Sequence, residues 1–255
     1  MSLLVDISKD FGSFQLNVSF ESPSGVLGLL GASGCGKSMT LRCIAGIVKP
    51  DRGRIVLQGR TLFDSERHID LPPQQRRVGL LFQNYALFPN LTVEQNLLAG
   101  MCREKDRAAK QKRLAELLER FYLTGLERRR PAQLSGGQQQ RVALGRILAG
   151  DPEVLLLDEP FSALDSYLRW QLGLEMMEVL ERFGKPVVLV THSRDEVVRL
   201  CQTVCVLDQG RSSPTHSVQE LFDAPKTVAA CLLSGCKNLS RAKPAPDGGI
   251  EALDW

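Results

Sequence analysis

The sequence predicts an α/β fold in which a mostly parallel sheet carries helices on both faces. Five short apolar runs are typical of buried parallel strands, and they lie at 26–30, 78–82, 154–157, 187–190 and 204–207. Segments with helical spacing separate several of these runs, as in repeated strand–helix units. Residues from about 86 to 150 instead have mostly helical patterns, so we expect them to form an insert.

Antiparallel strands are predicted at the N-terminus. Apolar residues alternate with polar ones at Phe14, Leu16, Val18 and Phe20, which predicts a strand with one buried face. The apolar residues 3–5 supply its expected neighbour. We therefore expect an N-terminal antiparallel β subdomain beside the parallel sheet.

Helices are predicted from their spacing and from their end signals. The first follows the glycine-rich segment after residue 30 and is expected to stop near Gly46 and Pro50. A long helix is expected at about 167–183. In the insert, one amphipathic stripe comprises Leu114, Leu117, Leu118 and Phe121.

Composition indicates which cellular compartment and which classes of binding partner suit this chain. The 255 residues suit one large or two modest domains, and a formal net charge of +3 gives no case for nucleic acid. With seven cysteines and no secretory leader before residue 10, we expect free thiols in a reducing cytosol. Neither Cys201/Cys205 nor Cys231/Cys236 has a His or a further Cys at the spacing of a zinc site, which favours packing over metal binding. No apolar run approaches the ~20 residues of a membrane-spanning helix. If the protein acts at a membrane, we therefore expect it to do so through a partner.

A phosphate-binding loop is the first motif that carries chemistry. It comprises Gly31, Ala32, Ser33, Gly34, Cys35, Gly36, Lys37 and Ser38. This is Walker A spacing, between a predicted strand and a predicted helix, which favours a phosphate site over a plain glycine turn. Glycine lets backbone N–H groups face phosphate oxygens, and the helix start adds partial positive charge. We expect Lys37 to reach the β- and γ-phosphates and Ser38 to bind Mg²⁺.

Two acidic residues follow the apolar run at 154–157. Asp158 and Glu159 come directly after it and precede Pro160. Ligands of doubly wound sheets bind beyond the carboxyl ends of strands, where neighbouring side chains point to opposite sides. Asp158 is therefore predicted to bind Mg²⁺ as a Walker B aspartate, and Glu159 to polarise an attacking water. The alternative is that both acids only cap a loop.

A second anion site is predicted far downstream. Ser135 and Gln138 fit a capping box at a helix start, and Gly136 and Gly137 strip its first turn of side chains. Ordinary capping would not need two glycines, each costing a helix about 1 kcal/mol relative to alanine. Bare N–H groups at a helix start can press directly onto an anion.

The run from Leu134 to Gln138 resembles the signature of the ATP-binding cassette family, and the resemblance covers nearly the whole chain. It implies a P-loop NTPase (RecA-like) core with the antiparallel β subdomain and a helical signature subdomain. It implies one nucleotide-binding domain over 1–236, binding ATP and Mg²⁺. We expect 237–255 to be a linker, or the start of a truncated C-terminal β regulatory domain with its first strand at 251–255.

The resemblance implies roles for further residues. Phe11 would stack on adenine, where tyrosine is commoner. Gln83 would touch Mg²⁺ and the attacking water, and His192 would contact the γ-phosphate. Asp165 would belong to the D-loop at 162–165.

Two further positions depart from the family pattern. Met39 replaces a hydroxyl residue that contacts the α-phosphate, so we expect ATP binding with one contact fewer. Ser193 replaces the aspartate that often follows the histidine, with a small expected effect on its orientation.

Family cassettes pack head to tail, so a second copy of this chain is an implied partner. The signature of one copy closes on ATP held by the loop of the other, and hydrolysis drives a membrane partner. A P-loop kinase has no use for the signature. Soluble cassettes for DNA repair or translation, which commonly carry two cassettes or long coiled-coil insertions, remain a remote alternative.

The resemblance favours the ATPase subunit of an importer, peripheral on the cytoplasmic face of the membrane. The segment Gln83–Val93 is similar to the one that docks a permease helix, and Tyr85 and Phe88 are expected to be exposed there. A substrate-binding protein would act indirectly. The runs at 14–20, 59–65, 71–77 and 235–241 most resemble molybdate importer ATPases, with sulfate second and iron, sugar or polyamine as further alternatives.

Overall fold

The strands and helices below belong to a computed structural model that describes residues 2–162, 165–236, 240, 242–245 and 249–252. The strands are β1 (Leu3–Asp10), β2 (Gln15–Ser22), β3 (Gly25–Leu30), β4 (Arg52–Leu57), β5 (Arg60–Asp64), β6 (Ile69–Asp70), β7 (Val78–Leu81), β8 (Val154–Asp158), β9 (Pro186–Thr191), β10 (Thr203–Asp208), β11 (Arg211–Ser212), β12 (His216–Ser217), β13 (Ala242–Pro244) and β14 (Ile250–Ala252). The helices are α1 (Lys37–Ala45), α2 (Pro73–Arg76), α3 (Val93–Gly100), α4 (Arg107–Arg120), α5 (Gly136–Ala149), α6 (Ser166–Phe183), α7 (Arg194–Leu200), α8 (Val218–Asp223) and α9 (Val228–Leu233).

One mixed sheet joins twelve of the described strands. Its order is β6-β5-β4-β1-β2-β11-β10-β3-β9-β8-β7, with β12 paired to β10. Strands β10, β3, β9, β8 and β7 are mutually parallel, whereas β1, β2, β4, β5 and β6 are antiparallel. The predicted α/β class, with its parallel core and N-terminal antiparallel subdomain, is confirmed. The carboxyl ends of the parallel strands share one edge of the sheet.

Two hydrophobic cores cover opposite faces of the parallel strands. Along β8 the side chains of Leu155 and Leu157 enter the core that α3, α4, α5 and α6 enclose. Leu156 enters the other core, together with residues of α1 and of the antiparallel strands. Every residue of β8 and β9 is buried, which explains the uninterrupted apolar runs in the sequence.

The predicted helices are present with small shifts at their ends. Helix α1 stops at Gly46, whose φ of 80° is left-handed and favours glycine. Helices α3, α4 and α5 form the insert, and α6 matches the predicted long helix. Across the described parts of the chain, no helix is both long and apolar enough to cross a bilayer.

Arg76 is a fully buried cation that the sequence patterns do not single out. Its guanidinium donates to the carbonyls of Cys43 and Ile44 at 2.9 and 3.0 Å, at the C-terminal end of α1. It also donates to the Leu71 carbonyl at 2.7 Å and pairs with Asp70 at 2.9 Å. Arg76 therefore ties the far end of the phosphate-loop helix to the segment before β7.

The expected exposure of Tyr85 is wrong. Its side chain is only 6% exposed, whereas Phe88 is 48% exposed as expected. Tyr85 and Ala86 have φ of 58° and 43°, and this left-handed turn directs the tyrosine ring into the core under α3 and α5. The hydroxyl of Tyr85 lies 3.5 Å from the carbonyl oxygen of Pro160.

The C-terminal residues that the structure describes form a small hairpin. Strand β13 pairs antiparallel with β14, and Lys243 lies opposite Glu251. The expected first strand at 251–255 is thus the second strand of this hairpin. Residues 253–255 lie outside the described part of the chain.

Candidate active site

The predicted catalytic residues follow neighbouring strands at one edge of the sheet. Strand β3 leads into the loop at 31–36, β8 ends at Asp158, and β9 ends just before His192. In the register, Leu30 lies opposite Thr191, and Asp158 lies opposite Val190. The parallel pairing therefore brings together segments that are far apart in sequence.

The phosphate loop leaves the start of α1 open to an anion. Gly34 and Gly36 have φ of 79° and 107°, and no side chain caps the first turn of α1. Its first N–H groups therefore lack the side-chain partner that caps other helices of this chain. The Lys37 ammonium, nearly buried, donates to the carbonyls of Gly31 and Ala32 at 2.8 Å each.

Close packing explains two glycines of the loop. A Cβ at Gly31 would lie 2.2 Å from the carbonyl oxygen of Leu207 and 2.5 Å from the sulfur of Cys35. A Cβ at Gly36 would lie 2.7 Å from a methyl carbon of Leu16. By contrast, a Cβ at Gly34 would meet open space, so its left-handed φ alone favours glycine there.

Ser38 and Asp158 form a pair of oxygen ligands suited to Mg²⁺. The Ser38 hydroxyl donates to Asp158 Oδ1 at 2.8 Å. Burial raises the pKa of the Asp158 carboxyl, and the Ser38 hydrogen bond opposes that rise. Hard oxygen donors are what Mg²⁺ prefers. Among the described residues, no three His, Cys, Asp or Glu side chains cluster as a metal cage.

Glu159 and His192 face one another across the ends of β8 and β9. His192 Nδ1 lies 3.6 Å from Glu159 Oε1, and the histidine side chain is 61% exposed. Glu159 has a left-handed φ of 44°, and its N–H donates to the Val190 carbonyl at 3.0 Å. Such strain at a carboxylate beside an exposed imidazole is typical of functional sites.

Ser193, which replaces the aspartate that often follows the histidine in the family, has a structural role. Its hydroxyl accepts from the N–H of Glu196 at 3.4 Å and caps α7. Glu196 in turn accepts from the Thr191 hydroxyl at 2.5 Å. Burial raises the pKa of Glu196, partly offset by the Thr191 bond. The polar network anchors the turn that carries His192.

Phe11 lies in the turn between β1 and β2. Its N–H donates to the Phe14 carbonyl at 2.8 Å, and the two ring centroids are 6.2 Å apart. Phe14 reaches the loop, because a Cβ at Gly36 would lie 3.0 Å from its ring. Met39 is partly buried in α1, and its sulfur lies 3.8 Å from an Arg42 nitrogen.

The predicted capping box at the start of α5 is present. Ser135 Oγ accepts from the N–H of Gln138 at 3.3 Å, and Gln138 Oε1 accepts from the N–H of Ser135 at 3.0 Å. Gly136 is exposed. Gly137 is buried, and a Cβ there would lie 3.1 Å from Leu172 of α6, so packing within the chain already explains one of the two glycines.

The remaining predicted residues lie in turns. Gln83 is exposed, two residues beyond Leu81, which pairs with Leu157. Asp165 caps α6 by accepting from the Leu168 N–H at 3.0 Å. Positions 163 and 164 of the expected D-loop lie outside the described residues.

Arg146 is a residue of this region that the sequence analysis missed. It lies on α5 and donates to the carbonyls of Ala86 at 2.8 Å and Tyr85 at 3.2 Å. Its guanidinium carbon lies 5.0 Å from the centre of the Phe88 ring. The only signal in the sequence is a cation at the end of a helix with a buried face. Arg146 links the helix that begins at Ser135 to the segment after Gln83.

Comparison with known proteins identifies the family. The profile described as ABC transporter matches residues 15–162. The chain belongs to this family. It is 45% identical over 242 residues to a probable sulfate/thiosulfate import ATP-binding protein CysA of Chlorella vulgaris, covering 93% of this chain and 100% of that protein. This ABC chain is also 43% identical to the spermidine/putrescine import ATP-binding protein PotA of Acidothermus cellulolyticus and 39% identical to the molybdenum import ATP-binding protein ModC of Paramagnetospirillum magneticum.

Solved ABC structures have the same fold. The chain aligns with the dimeric ATP-binding cassette MJ0796 in a post-hydrolysis state bound to ADP and Pi, with a TM-score of 0.70 and 29% identity. The alignment covers 86% of this chain and 99% of that one. The chain is therefore an ABC-type ATPase domain. It spans 57% of the length of that PotA relative and 61% of that ModC relative, covering 88% and 87% of this chain.

Proposed function

We propose that this ABC ATPase energises an importer by hydrolysing ATP between two copies of the chain. The observation that carries the proposal is the convergence of Lys37, the Ser38–Asp158 pair and the Glu159–His192 pair at one edge of the sheet. The names of the relatives, all import ATP-binding proteins, support the transport role.

The residues at the sheet edge divide the work of phosphoryl transfer to water. Lys37 exchanges its bonds to loop carbonyls for bonds to the β- and γ-phosphates, and the loop N–H groups hold phosphate oxygens. Glu159 orients the attacking water and accepts its proton. His192 donates to the γ-phosphate and, through its proximity to Glu159, fixes where that carboxylate points. The ring of Phe11 stacks on the adenine base.

Mg²⁺ fits the oxygen donors at this edge. Ser38, Asp158 and Gln83 would hold it, and when bound it neutralises charge on the phosphate oxygens. Burial raises the pKa of Asp158. A nearby cation would oppose that rise, because it favours the ionised form of the carboxylate.

A second copy completes the proposed site. Ser135, Gly136 and Gln138 are accessible at the start of α5, with N–H groups that suit a phosphate. We propose that they close on ATP held by the loop of the partner, with Asp165 nearby on the same interface. The dimeric structures of the cassette MJ0796 support this arrangement.

The segment Gln83–Val93 is proposed as the permease contact, on the cytoplasmic face of the membrane. Phe88 is the exposed large hydrophobic residue of this segment, and Arg146 binds the backbone carbonyls of residues 85 and 86. A displacement of this segment would therefore be transmitted through Arg146 to α5 and to the signature residues at the start of that helix. Tyr85, being buried, is a structural support of the segment. A substrate-binding protein would deliver cargo to the permease and act on this chain only indirectly.

We propose a tetrahedral oxyanion as the cargo, with molybdate as the sequence-based choice. Two kinds of relative, named for sulfate/thiosulfate and for molybdenum, support an oxyanion, and the sulfate relatives share more identity. Residues from 237 onward are proposed as the beginning of a C-terminal β domain, supported by the β13–β14 hairpin and by the greater length of several relatives.

The test is cargo-stimulated hydrolysis in a reconstituted complex. The chain is purified with its permease and binding protein, and ATPase is measured with molybdate, tungstate, sulfate, thiosulfate or spermidine. Stimulation by molybdate and tungstate alone supports the proposed cargo, and stimulation by sulfate or thiosulfate alone replaces it with sulfate. Stimulation by spermidine overturns the oxyanion proposal. Failure to associate with any permease, with hydrolysis intact, favours a non-transport cassette.

A further inference from the structure

We propose that Cys231 and Cys236 form a redox-active dithiol, a modification site that closes to an intramolecular disulfide when the chain meets a hydroperoxide. The site lies at the C-terminal end of α9 and includes none of the residues assigned to ATP hydrolysis. Both cysteines are free thiols in the structure. The proposal does not depend on the transport function.

The ending of α9 holds the two side chains together. Gly235 has a left-handed φ of 97°, and the Cys236 N–H donates to the Cys231 carbonyl at 3.2 Å. This six-to-one hydrogen bond is a feature of the Schellman ending, in which the side chains at its two ends commonly touch. The usual contact is apolar, but here both of these positions are cysteines.

Neighbouring groups favour the thiolate at Cys236. Ser234 Oγ lies 3.7 Å from its sulfur while donating to the Cys231 carbonyl at 2.8 Å. The Arg194 guanidinium is close, since a Cβ at Gly235 would lie 3.1 Å from Nη1. The neighbouring Cys231, the Ser234 hydroxyl and the charge of Arg194 together lower the pKa of the Cys236 thiol.

Exposure sets the order in which the two sulfurs react. Cys236 is exposed and Cys231 is half-buried, so a dissolved oxidant meets the lower-pKa thiol first. Four other cysteines are buried, namely Cys35, Cys43, Cys201 and Cys205. Burial raises the pKa of Cys43 to about 11 and of Cys205 to about 12, which keeps them as unreactive thiols.

The chemistry balances in two displacements. The Cys236 thiolate attacks one oxygen of the hydroperoxide, the O–O bond breaks, and hydroxide or alkoxide leaves with a sulfenic acid remaining on sulfur. The Cys231 sulfur then attacks that sulfenic sulfur, the S–O bond breaks, and hydroxide leaves. The leaving anions take up protons, including the one from Cys231. The dithiol loses two electrons and the peroxide gains them.

Peptide mass mapping tests the proposal on the full chain. The reduced protein is treated with hydrogen peroxide, denatured with N-ethylmaleimide and cleaved with trypsin. Because Lys226 and Lys237 flank the site, both cysteines fall in one peptide, 227–237. We expect this peptide to lose two hydrogens and to take up no maleimide, and to accept two maleimides after reduction. The peptide with Cys102, the other exposed cysteine, should stay alkylated at the same dose.

Single variants separate the two sulfurs and their neighbour. In Cys231→Ser, Cys236 should stop at a sulfenic acid that dimedone traps, and in Cys236→Ser, Cys231 should remain a thiol. Arg194→Gln should slow closure, whereas Arg194→Lys, which keeps the charge, should not. The proposal is overturned if peptide 227–237 keeps both thiols at doses that oxidise Cys102. It is also overturned if Cys236 is oxidised to sulfinic acid while Cys231 remains free.

Discussion

His192 Nδ1 and Glu159 Oε1 lie 3.6 Å apart, although the two residues follow different strands. The parallel pairing of β8 with β9 fixes this proximity, since Asp158 lies opposite Val190. The left-handed φ of Glu159 turns its carboxylate away from the direction of the strand. The pair therefore depends on sheet register and on a strained residue at once.

Glu159→Gln should slow ATP hydrolysis strongly and preserve ATP binding. The amide cannot accept a proton from water, while the loop at 31–38 is untouched, so the rate should fall roughly a hundred- to ten-thousand-fold. ATP should then accumulate in a stable dimer, measured by size-exclusion chromatography with and without nucleotide. Glu181→Gln, at an exposed position of α6, is the matched control and should behave as wild type. Turnover unchanged in Glu159→Gln would remove the role assigned to this carboxylate.

The sequence predicts the fold well because its signals are local. Buried parallel strands require continuous apolar runs, and β8 and β9 show them without a polar interruption. The capping box at Ser135 is equally local and is present as expected. The phosphate loop lies between a strand and a helix, as the apolar run before it and the helical pattern after it predict.

What the sequence leaves out depends on contacts between distant segments. Tyr85 is predicted to be exposed because its segment resembles one that docks a permease, but a left-handed turn buries it. Arg76 and Arg146 resemble surface cations until the structure shows the carbonyls that each one meets. Gly137 is similar, since the close approach it allows comes from Leu172 of the same chain.

Complementation tests the head-to-tail dimer. Lys37→Ala and Ser135→Arg should each be inactive alone, because every composite site then lacks its loop lysine or its signature serine. A mixed dimer has one site with both intact, so equal mixing should recover about a quarter of the wild-type rate in an ATPase assay if the sites act independently. Full activity of Ser135→Arg alone would contradict the shared site.

The control for this experiment addresses helix capping. Ser135→Arg also removes a cap worth about 1 kcal/mol, which could reduce activity by weakening α5. Ser217 forms the same capping box at the start of α8, with Glu220 as its partner. Ser217→Arg should lose similar stability and keep hydrolysis. Equal loss of activity in both variants would point to stability and against a shared phosphate site.

Arg76→Met should destabilise the chain much more than Arg77→Met. Arg76 is 0% exposed and donates to the carbonyls of Cys43, Ile44 and Leu71 as well as to Asp70, so its loss should cost about 3 kcal/mol or more. Arg77 is 54% exposed and pairs with Glu153 at the surface, where such pairs contribute less than about 1 kcal/mol. Urea unfolding followed by circular dichroism measures both free energies of unfolding. Similar values for the two variants would contradict the anchoring role of Arg76.

Phe88→Glu should uncouple hydrolysis from transport, because it places a charge where the permease is proposed to pack. The substitution leaves the core intact, since Phe88 is 48% exposed and the new carboxylate lies within reach of Arg146. Cargo-stimulated ATPase in the reconstituted complex should fall to the rate of the isolated chain, and uptake into vesicles should cease. Ile47→Glu, at a residue 52% exposed beyond the end of α1, is the matched control and should keep both activities.

Arg146→Met should also lower stimulation, because it frees the backbone of residues 85 and 86 from α5. Normal uptake with Phe88→Glu would exclude this segment as the permease contact, and loss of uptake with Ile47→Glu would show that any new surface charge disturbs assembly.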